Sequence, residues 1–290
     1  MLRHRLISGI FIGCTVLVLA NYLPTLGTWV VLVFLSSVAQ LEFYGLMNRA
    51  GIQVFRVYGT MCGAALISAT FCTAGPLPAD LAAGYRWENV VLLATLLIVL
   101  VRQFPQKNNK QPIATISCTL LGIWYVPFLF NYLTRLAFGW SAAASSAEVS
   151  VTGRLLIIYL LAVVKLSDVG AYFTGRAFGR HKLCGRISPG KTWEGLLGGI
   201  AFALITSVLF SIITEGSLGV VELSLEHGLV LGVLLPVTGV VGDIFESLIK
   251  RAAGVKDSSS VIPGMGGILD VLDSLLFAAP VLYVYARFLL

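Results

Sequence analysis

The chain has 290 residues, of which 57% are hydrophobic and 12% charged, and its mean hydropathy is +0.90. That balance excludes an ordinary soluble domain. The formal net charge of +6, from 20 basic and 14 acidic residues, fits basic loops facing anionic lipid, and no nucleic-acid partner is expected.

Apolar runs of about 20 residues, the length that carries a helix across a bilayer, recur from end to end. They predict an all-α polytopic membrane protein with about nine transmembrane helices, near 5–22, 25–47, 53–74, 86–103, 112–137, 152–175, 193–214, 225–250 and 267–289. The first run follows Arg3, His4 and Arg5 and reads as an uncleaved helix, because so many spans follow it. Basic residues crowd alternate connections: Arg49 and Arg56; Arg102, Lys107 and Lys110; Arg176 to Lys191; and Lys250, Arg251 and Lys256. The positive-inside bias then places the N-terminus in the cytoplasm and the C-terminus outside. Cys14, Cys62, Cys72 and Cys118 lie in or beside apolar runs and Cys184 stands alone in a basic loop, so neither a disulfide framework nor a zinc site is expected.

The first five spans carry little chemistry. Glu42, the lone acid of its run, reads as an interfacial residue at a helix end. Gly59, Gly63 and Ala64 have the small-residue spacing of closely packed helices, and Trp29, Trp124 and Trp140 read as interfacial anchors. Residues 141–150 read as a polar linker. The chain therefore divides into an N-terminal transmembrane bundle, 1–150, with room for oligomer contacts, and a chemistry-bearing transmembrane region, 151–290.

In that second region Lys165 and Asp168 are three apart on one helical face, with Tyr172 a turn further on. An ion pair that merely satisfies both charges is the plain reading. The basic loop after them ends at Ser188, Lys191 and Thr192, where a helix N-terminus could present amides to a phosphate. Gly185, Gly190, Lys191 and Thr192 match a phosphate-loop spacing on paper, but no strand is expected to precede them, so the match is taken as coincidence. Asp243, Glu246, Ser247 and Lys250 then share one helical face, and Asp270 and Asp273 share another. Between them lie Lys256, Asp257, a serine run and a Pro-Gly-Met-Gly-Gly turn whose amides suit an anion. Acids grouped this way near a hydrocarbon layer need partners or a cation. Carboxylate oxygens beside lysines point to Mg²⁺ with phosphate. An ion-coupled transporter with intramembrane carboxylates uses the same ingredients and remains the alternative.

Ser247, Lys250, Arg251, Lys256, Asp257, Pro263, Gly266, Gly267, Asp270 and Asp273 stand at a spacing that resembles the signature of the phosphatidate cytidylyltransferase (CDP-diacylglycerol synthase) family. The runs Asp168–Arg176 and Ser188–Gly195 are also similar to that family. The resemblance is specific over roughly residues 165–275. Two positions depart from it: Met265 stands where the family has His, and Val271 where it has Arg. Met265 excludes proton transfer at that position, and Val271 removes a phosphate contact.

The resemblance implies transfer of a cytidylyl group from CTP to phosphatidate, in phospholipid biosynthesis, at the cytoplasmic face of a bacterial inner membrane. A related CTP-dependent lipid kinase is the other enzyme reading. The expected catalytic residues are Asp243, Asp270, Asp273, Lys250 and Lys256, with Asp243, Asp270 and Asp273 as Mg²⁺ ligands. Expected substrate contacts are Ser188, Lys191, Thr192, Ser247, Arg251, Gly266, Gly267 and Asp168. Asp168 and Glu246 are candidates for a second, monovalent cation or for tuning the lysines. The expected partners are CTP, phosphatidate and the lipid bilayer, and a homodimer is left open.

Overall fold

The computed structural model describes residues 25–74, 87–107, 109–140, 146–259 and 266–290. The expected span at 5–22, Pro263, Met265 and residues 141–145 lie outside them. The described helices are α1 (Thr25–Arg49), α2 (Arg56–Ala74), α3 (Trp87–Gln103), α4 (Pro112–Phe138), α5 (Ser146–Phe178), α6 (Trp193–Ile213), α7 (Leu225–Ala252) and α8 (Ile268–Phe288). All except α3, which has 17 residues, are long and apolar enough to cross a membrane. The protein is a helical, polytopic membrane protein, and each described helix coincides with one expected span. The linker expected over 141–150 is half helix, since α5 begins at Ser146.

Two short hairpins depart from the all-helical expectation. β1 (Lys182–Cys184) pairs antiparallel with β2 (Ser188–Thr192), and β3 (Ser217–Leu218) with β4 (Val221–Glu222). The basic connection before α6 is thus a hairpin rather than an open glycine loop. A strand does precede α6, contrary to expectation. It runs straight into the helix, however, with Gly190 and Lys191 inside β2, so no phosphate loop intervenes.

By packing, the described residues up to Arg135 and within Ile249–Leu272 form one compact unit, and those within Leu136–Leu248 and Asp273–Leu290 another.

Within the first unit, polar groups and small residues pin α1, α2 and α4, as expected where lipid supplies no hydrophobic drive between helices. Gln40 Nε2 donates to Gly59 O and to the Tyr44 hydroxyl, each at 3.0 Å, and that hydroxyl donates to Thr119 O at 3.0 Å. A side chain at Gly59 would strike Tyr44, and one at Gly63 would strike Gln40 and Pro127. Pro127 lacks an N–H donor, and α4 absorbs it in a π-helical turn over Trp124–Phe128.

Within the second unit, α5 and α6 lie against each other along their length. The Tyr159 and Ser207 hydroxyls are 2.6 Å apart, and Ser207 Oγ donates to Gly228 O at 2.6 Å. Thr192 is buried and caps α6, its hydroxyl accepting from Gly195 N at 3.1 Å. Trp140 is buried rather than interfacial, donating to Leu136 O at 2.8 Å and facing Tyr283.

Candidate active site

Two polar centres are built around α7 and α8, one in each unit. In the second unit, Asp243 and Glu246 share a face of α7 because they are three residues apart. Gly242 lets α8 approach that face: an added Cβ would strike the Asp273 carbonyl oxygen and come within 3.0 Å of Phe277 Cδ2. Asp243, Glu246 and Asp273 each offer an oxygen to one group, with all three oxygens within 4.8 Å of one another. Glu246 and Asp273 are buried.

Lys191, delivered by β2, places Nζ 2.8 Å from Asp243 Oδ2 and donates to Val240 O at 3.2 Å. Ser247 Oγ lies 3.5 Å from Asp243 Oδ1. The Ser274 amide and hydroxyl donate to Asp273 Oδ1 at 2.5 and 2.9 Å, which orients that carboxylate. Lys165 Nζ is 3.6 Å from Asp168 Oδ2, and both residues lie within Coulombic reach of Asp273.

Three carboxylates therefore converge within 4.8 Å, with Asp168 and the Lys165 and Lys191 ammonium groups near them. Holding that much negative charge together is costly. A divalent cation would offset it, and an all-oxygen donor set suits Mg²⁺ or Ca²⁺. Gly242→Ala tests the approach that builds this group. It is expected to destabilise the protein by about 1–3 kcal/mol through overpacking. It should also shrink the Mg²⁺-induced rise in unfolding temperature, measured in detergent.

In the first unit, Asp270 turns to a different set of donors. Oδ1 accepts from Lys250 Nζ at 2.6 Å. Oδ2 accepts from Ser258 N at 3.0 Å, Ser258 Oγ at 2.7 Å and Gly267 N at 2.7 Å. The last bond is the carboxylate half of a capping box at the start of α8. Gly266 takes φ +97°, and a side chain there would strike the Asp270 carboxylate. Glu42 of α1 joins this centre, accepting from Ser258 Oγ, Ser259 Oγ, Ile268 N and Leu269 N.

The expected cation ligands are therefore redistributed. Asp243 and Asp273 converge, Glu246 joins them, and Asp270 serves Lys250 and the α8 N-terminus. The Gly267 amide, expected to meet a bound anion, meets the protein's own carboxylate. Lys256 and Arg251 are exposed, with Arg251 Nη1 3.5 Å from Val255 O, and Ser188 is half-buried opposite Cys184 in the hairpin. Glu42 was read as interfacial, yet it is buried with its four donors. Its isolation in an apolar run was the available signal.

Fold and site define a polytopic helical membrane protein with a carboxylate group suited to a hard divalent cation. Residues 3–289 match the cytidylyltransferase family, and the chain belongs to it. Over 138 residues it is 43% identical to the phosphatidate cytidylyltransferase of Haemophilus influenzae, covering 48% of each chain. Over 136 residues it is 40% identical to the uncharacterized protein YnbB of Escherichia coli K12, covering 47% of this chain and 44% of that one. It is also 32% identical over 274 residues to the phosphatidate cytidylyltransferase of Staphylococcus saprophyticus, covering 93% of this chain and 95% of that one. The matched stretches span about half the length of the first two relatives and nearly all of the third.

Proposed function

We propose that the protein transfers the cytidylyl group of CTP to phosphatidate, releasing CDP-diacylglycerol and pyrophosphate. The phosphate oxygen of the lipid attacks the α-phosphorus of CTP, a new P–O bond forms, and the α–β bond breaks with its electrons leaving on pyrophosphate. The lipid phosphate is ionised at neutral pH, so little general-base chemistry is required. Met265 in place of the family's His is compatible with that. The demand is for orientation and for offsetting negative charge. The observation that carries this reading is the convergence of Asp243, Glu246 and Asp273 beside Lys191.

Those three carboxylates are the proposed Mg²⁺ ligands, with Asp168 the candidate for a second, monovalent cation. The bound cation would neutralise phosphate oxygens and act as a Lewis acid there. Lys191 orients Asp243 and donates to a triphosphate oxygen. Lys250, held by Asp270, would offset the charge that develops on the leaving pyrophosphate, and the exposed Arg251 and Lys256 attract the anionic substrates. Ser247 lies beside Asp243, Gly266 and Gly267 leave room for the Asp270 and Glu42 carboxylates, and the Ser188–Thr192 strand delivers Lys191. We further propose nine spans, the N-terminus in the cytoplasm and the C-terminus outside, in a bacterial inner membrane, with CTP arriving from the cytoplasm and phosphatidate from the inner leaflet.

CTP labelled at its α-phosphate, supplied with phosphatidate and Mg²⁺ to the purified protein, tests the reaction. Label is expected in a chloroform-soluble liponucleotide, in step with pyrophosphate release. Label confined to soluble CDP would assign a lipid kinase instead. Unchanged CTP would leave the transporter reading.

A further inference from the structure

We propose that Glu42 is a positioning residue for this reaction, holding Ser258, Ser259 and the α8 N-terminus so that Asp270 keeps its grip on Lys250. The inference rests on the proposed cytidylyl transfer for its kinetic consequence, though not for its structural one.

Glu42 comes from α1 and meets a segment more than 200 positions later in the chain. Its carboxylate accepts from Ser259 Oγ at 2.7 Å, Leu269 N at 2.8 Å, Ile268 N at 3.2 Å and Ser258 Oγ at 3.3 Å. Ile268 and Leu269 open α8, so their amides have no acceptor within the helix. An anion beside them is further favoured by the helix dipole. Two backbone amides and the Ser259 hydroxyl, with the Ser258 proton shared with Asp270, make a built receptor on one carboxylate, and an added Cβ at Gly267 would collide with Glu42 and with Ser258 Oγ.

Ser258 links this receptor to the chemistry. Its hydroxyl sits between Glu42 Oε2 and Asp270 Oδ2, and its amide donates to Asp270 Oδ2 at 3.0 Å. The adjacent Gly267 amide donates to the same oxygen. Whatever fixes Ser258 and residues 267–269 therefore fixes the Asp270 carboxylate, whose other oxygen holds Lys250 at 2.6 Å. The influence of Glu42 on Asp270 passes through Ser258 and the first residues of α8.

Glu42→Gln replaces one acceptor oxygen by an NH₂ group, which cannot accept from Ile268 N or Leu269 N. Full-length wild type, Glu42→Gln, Glu42→Asp and Ser259→Ala are compared in lipid–detergent micelles by hydrogen exchange and by steady-state kinetics. In Glu42→Gln, peptides covering 258–270 should exchange at least about 10-fold faster, with α2 unchanged. Its kcat should fall about 100-fold with KM for CTP nearly unchanged, because a misplaced group costs rate rather than binding. Glu42→Asp should restore part of the rate, and Ser259→Ala should lose a smaller factor.

Unchanged exchange over 258–270 in Glu42→Gln overturns the proposal, as does a lowered unfolding temperature with wild-type kcat. If Glu42→Gln does not fold, wild-type kcat and exchange in both Glu42→Asp and Ser259→Ala overturn it. A wild type that makes no liponucleotide defeats the proposed reaction but not the holding role, which the exchange measurement decides separately.

Discussion

Asp273→Asn is expected to lower cytidylyl transfer by at least about 100-fold, beyond the 10–100-fold typical of losing a residue that only supports a ligand. The variant should nevertheless fold. Asp273 is buried, with an oxygen inside the 4.8 Å group it forms with Asp243 and Glu246, and Asp168 is a further negative charge within reach. Neutralising one of several like charges relieves repulsion, so stability without divalent cation should be unchanged or higher. What should vanish is stabilisation by Mg²⁺, which at 100 times its dissociation constant is worth about 2.7 kcal/mol in a competent site. Unfolding temperature is measured with and without Mg²⁺, alongside turnover. A variant that keeps its Mg²⁺ response and full turnover would remove Asp273 from the cation site.

Lys250→Met should act in the opposite way, losing stability as well as activity. The Lys250 and Asp270 side chains are 12% and 8% exposed and 2.6 Å apart. Removing one member of such a pair leaves a buried charge uncompensated, at a cost of about 3–5 kcal/mol. Asp270→Asn should be destabilising for the same reason, which distinguishes it from Asp273→Asn only three residues away. The double variant Lys250→Met with Asp270→Asn should lose less than the sum of the two, since neither charge is left without its counter-ion and the amide oxygen at position 270 can still accept from Ser258 N and Gly267 N. It should remain inactive, because the lysine is gone. Denaturation in mixed micelles and a double-mutant cycle measure the coupling. Additive losses from the two single variants would show that the pair carries no coupling energy.

The membrane-crossing helices were legible because bilayer thickness imposes a length and a composition that any single run displays on its own. Gly59 and Gly63 were legible as packing residues for a similarly local reason: the spacing puts both on one helical stripe. The basic connection was misread. Its two short strands pair only because Ser188 and Thr192 return antiparallel to Cys184 and Lys182, and the run of arginine, lysine and glycine carries no alternating pattern to announce that. Trp140 looked like an anchor and is packed inside, since its neighbours Leu136 and Tyr283 are not readable from its position in the chain.

The acids show the boundary most clearly. Periodicity alone placed Asp243 with Glu246, and Asp270 with Asp273, because residues three apart on a helix share a face. Which face meets which is set by close approaches such as that at Gly242, which brings Asp273 to the α7 acids. The capping geometry at Gly267 commits Asp270 to Ser258 and Lys250. Glu42 meets its donors across more than 200 residues of chain, a separation at which local spacing carries no information. The sequence determined what kinds of groups are present and which lie side by side on each helix; only tertiary packing decided how they are shared between the carboxylate group, lysine and helix end, because that choice depends on distances between elements remote in the chain.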